Sequence, residues 1–201
     1  LVVRQIVEQL ADDGLTIIVV MHSYGGMVGL NALEDLDVQS RAAQGKSGGV
    51  AHLIAIAAMI YPKGYDSFDI AREMGVSDML SWVEFDEDGS NDIKDPKFSC
   101  YADVSEEEAD VVIKTLSRLD RMSAEHKVKY EAWRVIPLTY ILTLQDVIFP
   151  VDHQRFLLKK LEEAGHKADV KTFDSSHSPF LSKIPETVKV IEDVADSLRS
   201  R

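Results

Sequence analysis

A chain of 201 residues can bury one sizeable core and fits a single α/β domain with an insertion. A net charge of −12 with no basic cluster to reverse it argues against nucleic acid or an anionic membrane surface as partner. The single cysteine, Cys100, excludes an internal disulfide framework and suits a reducing compartment, and the longest apolar runs are too short to span a bilayer.

The chain opens on "LVVRQIVEQLADDG", an amphipathic helix pattern in which Val3, Ile6, Val7 and Leu10 recur at helical spacing and Gly14 stands where a C-cap would. It has neither an initiator methionine nor a signal peptide, so a targeting segment further upstream would not be visible; the cytoplasm is the expected location. "TIIVVMHSYGGMVG" follows, a β-branched strand over Thr16–Val20 that stops at His22-Ser23, with "GGMVGLNALEDL" as the next helix. "SRAAQGKSGG" reads as a loop and "VAHLIAIAAMIYP" as a strand buried on both faces, the signature of a parallel sheet flanked by helices.

Residues 62–136 differ in character. They hold 18 Asp and Glu against 10 Lys and Arg, which is −8 of the total charge, and show no strand-like run. Ser105 with Glu108 forms a capping-box pattern ahead of Val112, Ile113 and Leu116. A helical insertion is expected here. The sheet pattern resumes with the strand Pro137–Leu144, ending at Gln145-Asp146. After it come the helix "VDHQRFLLKKLEEAG", with Asp152 placed to cap it, and the strand Ala168–Phe173 before "DSSHSPF". The closing helix, "IPETVKVIEDVADSLRS", puts Val188, Ile191, Val194 and Leu198 on one face. This order predicts a doubly wound, mostly parallel α/β sheet with core segments 1–61 and 137–201 around the insertion at 62–136.

Two nucleotide-binding readings fail on spacing. A phosphate loop requires a glycine five residues before Gly45, where Ser40 stands, and Gly25, Gly26 and Gly29 do not match the dinucleotide fingerprint. Met21-His22-Ser23-Tyr24-Gly25 matches the nucleophile-elbow pattern G-x-S-x-G except for its first glycine. A serine nucleophile needs a histidine base and a carboxylate to orient it, in the chain order Ser, acid, His at successive strand ends. Asp146 and His177 occupy those places. Asp152, Asp169 and Asp174 are weaker candidates for the acid. His52, His126, His153 and His166 lack strand-end placement, His22 should pack beside the elbow, and Cys100 should be packed rather than nucleophilic. No cluster has metal-ligand spacing, and neither metal nor cofactor is expected.

"VVMHSYGGMVG", "PLTYILTLQD" and "SSHSPFLSKIPE" resemble the matching segments of capped α/β-hydrolases, in particular the esterase and hydroxynitrile-lyase-like branch and its fungal members. The resemblance implies Ser23 as nucleophile, Asp146 as acid, His177 as general base, and the Tyr24 backbone N–H as an oxyanion donor. It implies a serine hydrolase acting on a small, largely apolar ester. Lyases of that branch carry a lysine after the histidine, where Ser178 stands here; a lyase, a ligand-binding receptor or an inactive relative on the same fold remain as alternatives. Family members begin with strands and a loop that supplies a second oxyanion donor. On that comparison the chain is expected to be N-terminally truncated, with Thr16–Val20 near an open edge, as a homo-oligomer or paired with the upstream segment.

Overall fold

The computed structural model describes residues 2–77 and 81–200; residue 1, residues 78–80 of the insertion and residue 201 lie outside it. The first core segment contains α1 (Val2–Asp12), β1 (Thr16–His22), α2 (Gly25–Ala32), α3 (Val38–Ala43) and β2 (Gly49–Ile56). Between β2 and the next core strand lie α4 (Ser67–Met74), β3 (Val83–Phe85), β4 (Ser90–Ile93), α5 (Pro96–Tyr101), α6 (Glu106–Ile113), β5 (Leu119–Asp120) and α7 (Met122–Glu125). The second core segment holds β6 (Leu138–Thr143), α8 (Val151–Glu163), β7 (Asp169–Phe173), α9 (Pro179–Ser182) and α10 (Ile184–Arg199).

The core sheet runs β1-β2-β6-β7, every neighbouring pair parallel. Period-2 alternation assigns its two faces. On β2, Leu53 and Ala55 join the larger apolar cluster with Met27 and Leu30 of α2 and Leu157 and Leu161 of α8. Ile54 and Ile56 face the other way, packing with Ile141 against Val190 and Val194 of α10. Both faces of β2 are therefore covered, which is why it reads as an unbroken apolar run. β1 is an edge strand, and Val20 is half-exposed.

Four local expectations need correction. The insertion is not purely helical: β3, β4 and β5 form a three-stranded antiparallel sheet. Its strands are only two to four residues long and carry one charged face, so no apolar run marks them. The segment before β2 begins as α3, because the Asp37 carboxylate accepts from the backbone N–H groups of Gln39 and Ser40 and caps it. Asp152 does not cap α8; it lies inside the first turn, exposed, and pairs with Arg155. On α10, Val188 points outward and the buried stripe is Thr187, Val190 and Val194.

Candidate active site

β1 ends two residues later than its β-branched run, at His22, and the chain then turns abruptly. Ser23 has φ +53°, in the left-handed region that costs a non-glycine residue about 1–3 kcal/mol. Three backbone hydrogen bonds hold it there: Ser23 N–H donates to Ile56 O at 3.2 Å, and the N–H groups of Gly26 and Met59 each donate to Ser23 O at 3.0 Å. The turn feeds directly into α2, whose first residue is Gly25.

The steric demand of this turn falls elsewhere than the motif suggests. A Cβ on Gly25 would meet nothing, whereas one on Gly26 would lie 2.8 Å from Met59 O and 2.9 Å from Met59 N. A Cβ on Gly29 would lie 2.3 Å from the sulfur of Met21. Met21 is 3% exposed, so its thioether fills the space that Gly29 leaves open. The missing first glycine of the elbow is thus matched by a glycine one turn into α2.

Asp146 follows β6 and is buried. Its Oδ2 accepts from His177 Nδ1 at 2.7 Å and from Thr143 Oγ1 at 3.0 Å. Its Oδ1 accepts from the backbone N–H groups of Ile148 and Phe149 at 3.0 and 2.8 Å. Four hydrogen bonds fix the position of the carboxylate. Asp174 instead accepts from Gln145 Nε2 at 2.7 Å, and Asp169 is exposed at the start of β7.

Behind Asp146 lies Gln154, fully buried on α8 and not singled out by sequence. Its Oε1 accepts from Thr143 N–H at 3.1 Å, and its Nε2 donates to Thr143 Oγ1 at 2.8 Å and Phe149 O at 2.7 Å. Thr143 is left with its hydroxyl proton for Asp146. The signal was available: 154, 157 and 161 share one helix face, and a glutamine among core leucines requires partners.

His177 sits in a buried loop, Ser175–Ser178. Ser176 Oγ donates to the Asp103 carboxylate and to Cys100 O, tying this loop to the insertion. Burial pushes the Asp103 carboxyl up, but hydrogen bonds, that of Ser176 first among them, together outweigh it and hold the group below its ordinary value. His22 Nε2–H donates to the His177 carbonyl oxygen, 2.9 Å away, and its ring lies 4.5 Å from the His177 ring and 4.9 Å from Phe180. Burial, then the neighbouring His177, lowers the His22 pKa to about 3. It is therefore neutral near pH 7, and a neutral imidazole facing a carbonyl must carry its proton on Nε2 and donate.

Ser23, Tyr24, His22 and His177 line one cavity of about 330 Å³, bounded on the insertion side by Trp82, Phe85 and Tyr101. No Asp, Glu, Lys or Arg is among its described lining residues. Ser23 and His177 do not hydrogen-bond to each other in this structure, a contact that commonly tightens only when substrate binds. Cys100 also borders the cavity, but burial pushes its thiol up to about 11, so it stays protonated. Among the described residues no three His, Cys, Asp or Glu side chains are grouped as metal ligands, and no helix is long and apolar enough to cross a membrane.

The sequence model of the alpha/beta hydrolase family matches residues 1–189, nearly the whole chain. The chain belongs to that family. Solved structures share its fold at low identity. A pyrethroid hydrolase from Sphingobium faniae JZ-2 is 20% identical, with TM-score 0.72, covering 98% of this chain and 78% of its own. Polyneuridine aldehyde esterase is 20% identical, with TM-score 0.69 and coverage of 96% and 76%. A methylesterase from Arabidopsis is 20% identical, with TM-score 0.67 and coverage of 98% and 75%. None of the curated proteins matches the chain. These likenesses establish an α/β-hydrolase architecture with a mostly parallel core sheet.

Proposed function

We propose that this member of the alpha/beta hydrolase family is a serine carboxylic ester hydrolase of the esterase and hydroxynitrile-lyase-like branch. Segments 1–61 and 137–201 form the core, and 62–136 is a cap that shapes the substrate cavity. The observation that carries the reading is the buried 2.7 Å contact of Asp146 Oδ2 with His177 Nδ1, at a cavity that also holds Ser23 on its strained turn. That three solved neighbours are an esterase, a methylesterase and a pyrethroid hydrolase supports the reaction class.

In this reading Ser23 Oγ attacks the ester carbonyl carbon while His177 Nε2 takes its proton. Asp146 holds the imidazole with Nδ1 protonated and stabilises the imidazolium that forms. The tetrahedral oxyanion turns toward the Tyr24 N–H at the start of α2, where the helix dipole adds to the hydrogen bond. Collapse expels the alcohol, protonated by His177. Water activated by His177 then hydrolyses the acyl-enzyme and restores the Ser23 hydroxyl. A cavity with no charged side chain among its described lining suits a small, neutral, largely apolar ester. It offers no lysine to stabilise a departing anion, since Ser178 follows His177, and this favours a hydrolase over a lyase.

Turnover of short-chain aryl esters tests the assignment. Ser23→Ala, His177→Ala and their double variant should each lose activity by about 10³-fold or more, the double no worse than the singles. A Ser23→Ala variant that keeps most of its turnover would end the proposal.

A further inference from the structure

The small sheet of the insertion has two unlike faces. Register pairs Val83 with Ile93, Phe85 with Asn91, and Asn91 with Leu119, which brings these five side chains onto one face. All five line the cavity that holds Ser23. Glu84, Asp92 and Asp120 alternate with them and belong to the opposite face. Four of the five inner side chains are apolar. The fifth, Asn91, lies directly between Phe85 and Leu119 and is only 6% exposed.

Among the described residues the Asn91 side-chain amide has no hydrogen-bond partner. Asparagine is depleted in strands, so this residue weakens the sheet it stands in. Breaking a local rule at a cavity wall, with no structural compensation, is what a binding residue does. Ser23 and His177 border only the larger cavity, whereas Asn91 also borders a second one of about 260 Å³, shared with Ile93, Leu116 and Leu119.

We propose that Asn91 sets substrate specificity by binding an uncharged hydrogen-bonding group, a carbonyl or hydroxyl, carried by the ester away from its scissile bond. The proposal rests on the ester-hydrolase reading of the cavity and names its substrate class more closely. An amide both donates and accepts, so it serves either group. An ionised substituent would be desolvated there with no counter-charge, because no charged residue is among the described lining of the larger cavity.

Matched esters test this: 4-nitrophenyl hexanoate against 4-nitrophenyl 5-oxohexanoate, and hexyl acetate against 5-oxohexyl acetate, placing the ketone on either side of the ester. The 201-residue chain should prefer one keto ester over its plain partner by about 10–100-fold in kcat/KM. Asn91→Leu should collapse that ratio to within about threefold. Asn91→Val, which suits a strand, should collapse it equally with an unchanged or higher Tm, and serves if the leucine variant does not fold. No preference in either pair, or a preference that survives both substitutions, overturns the proposal. Binding of the same esters to Ser23→Ala, read through Trp82 fluorescence at the cavity wall, separates the two claims. Tighter binding of a keto ester that disappears with Asn91→Val supports the Asn91 contact even if no ester is turned over, in which case only the hydrolase reading fails. Turnover without any such discrimination retains the hydrolase and removes the role of Asn91.

Discussion

His22 shows how one residue can be both packed and consequential. Its imidazole is wedged between His177 and Phe180 and kept neutral, with a pKa of about 3 against an unfolded value near 6.5. Between those two values the unfolded chain binds the extra proton, so stability falls as pH falls from about 6.5 to about 3, and this contribution is complete above 6.5. Each pH unit within that window should cost roughly a factor of ten in the folding constant from this group. His22→Gln, which keeps an amide donor for the His177 carbonyl, should flatten the slope when urea midpoints are compared between pH 6 and pH 4. An unchanged slope would show that His22 titrates normally. The triad candidates were legible because each stands at a strand end, where a polar residue interrupts an apolar run. Gln154 and Asn91 are not legible because each lies inside an element, and only tertiary packing shows that one is fully braced and the other without a hydrogen-bond partner among the described residues.

At the scale of elements, the strand-to-helix turn depends on two glycines with different tolerances. An alanine at Gly26 would press on the backbone of Met59, which cannot give way, while one at Gly29 would press on the flexible end of Met21. Gly29→Ala should cost about 1–2 kcal/mol and Gly26→Ala more, read as shifts in denaturant midpoint. Met21→Ala with Gly29→Ala should recover part of the loss, with a coupling of about 1 kcal/mol in a double-mutant cycle. Strict additivity would separate Met21 from Gly29. A second brace lies at the other end of the site. Gln154→Leu would strip Thr143 and Phe149 of buried partners, for a loss of about 2–4 kcal/mol and a fall in kcat larger than any change in KM. The core strands were readable because burial on both faces leaves long β-branched runs; the insertion's strands were not, since two to four residues facing a cavity on one side carry too little pattern.

Across the whole molecule, charge and chemistry are segregated. The chain carries −12, yet the cavity at Ser23 has no charged residue among its described lining, so the acidic surface does not set what the site accepts. β1 leaves one side of the core sheet unpaired, and Val2, Ile6, Leu15 and Val20 are exposed on α1, β1 and the turn between them. This chain should associate through that edge, with an apparent mass in light scattering that rises with concentration, and Val20→Lys should suppress the association. A mass independent of concentration would show the edge to be inert. If Ser23 is a nucleophile activated by His177, covalent trapping with a 4-nitrophenyl alkylphosphonate followed by peptide mass spectrometry reads it out. One phosphonyl adduct is expected, on the peptide containing Ser23, formed at least about 10³-fold more slowly in His177→Ala. An adduct on any other residue, or labelling of Ser23 that does not depend on His177, would contradict it.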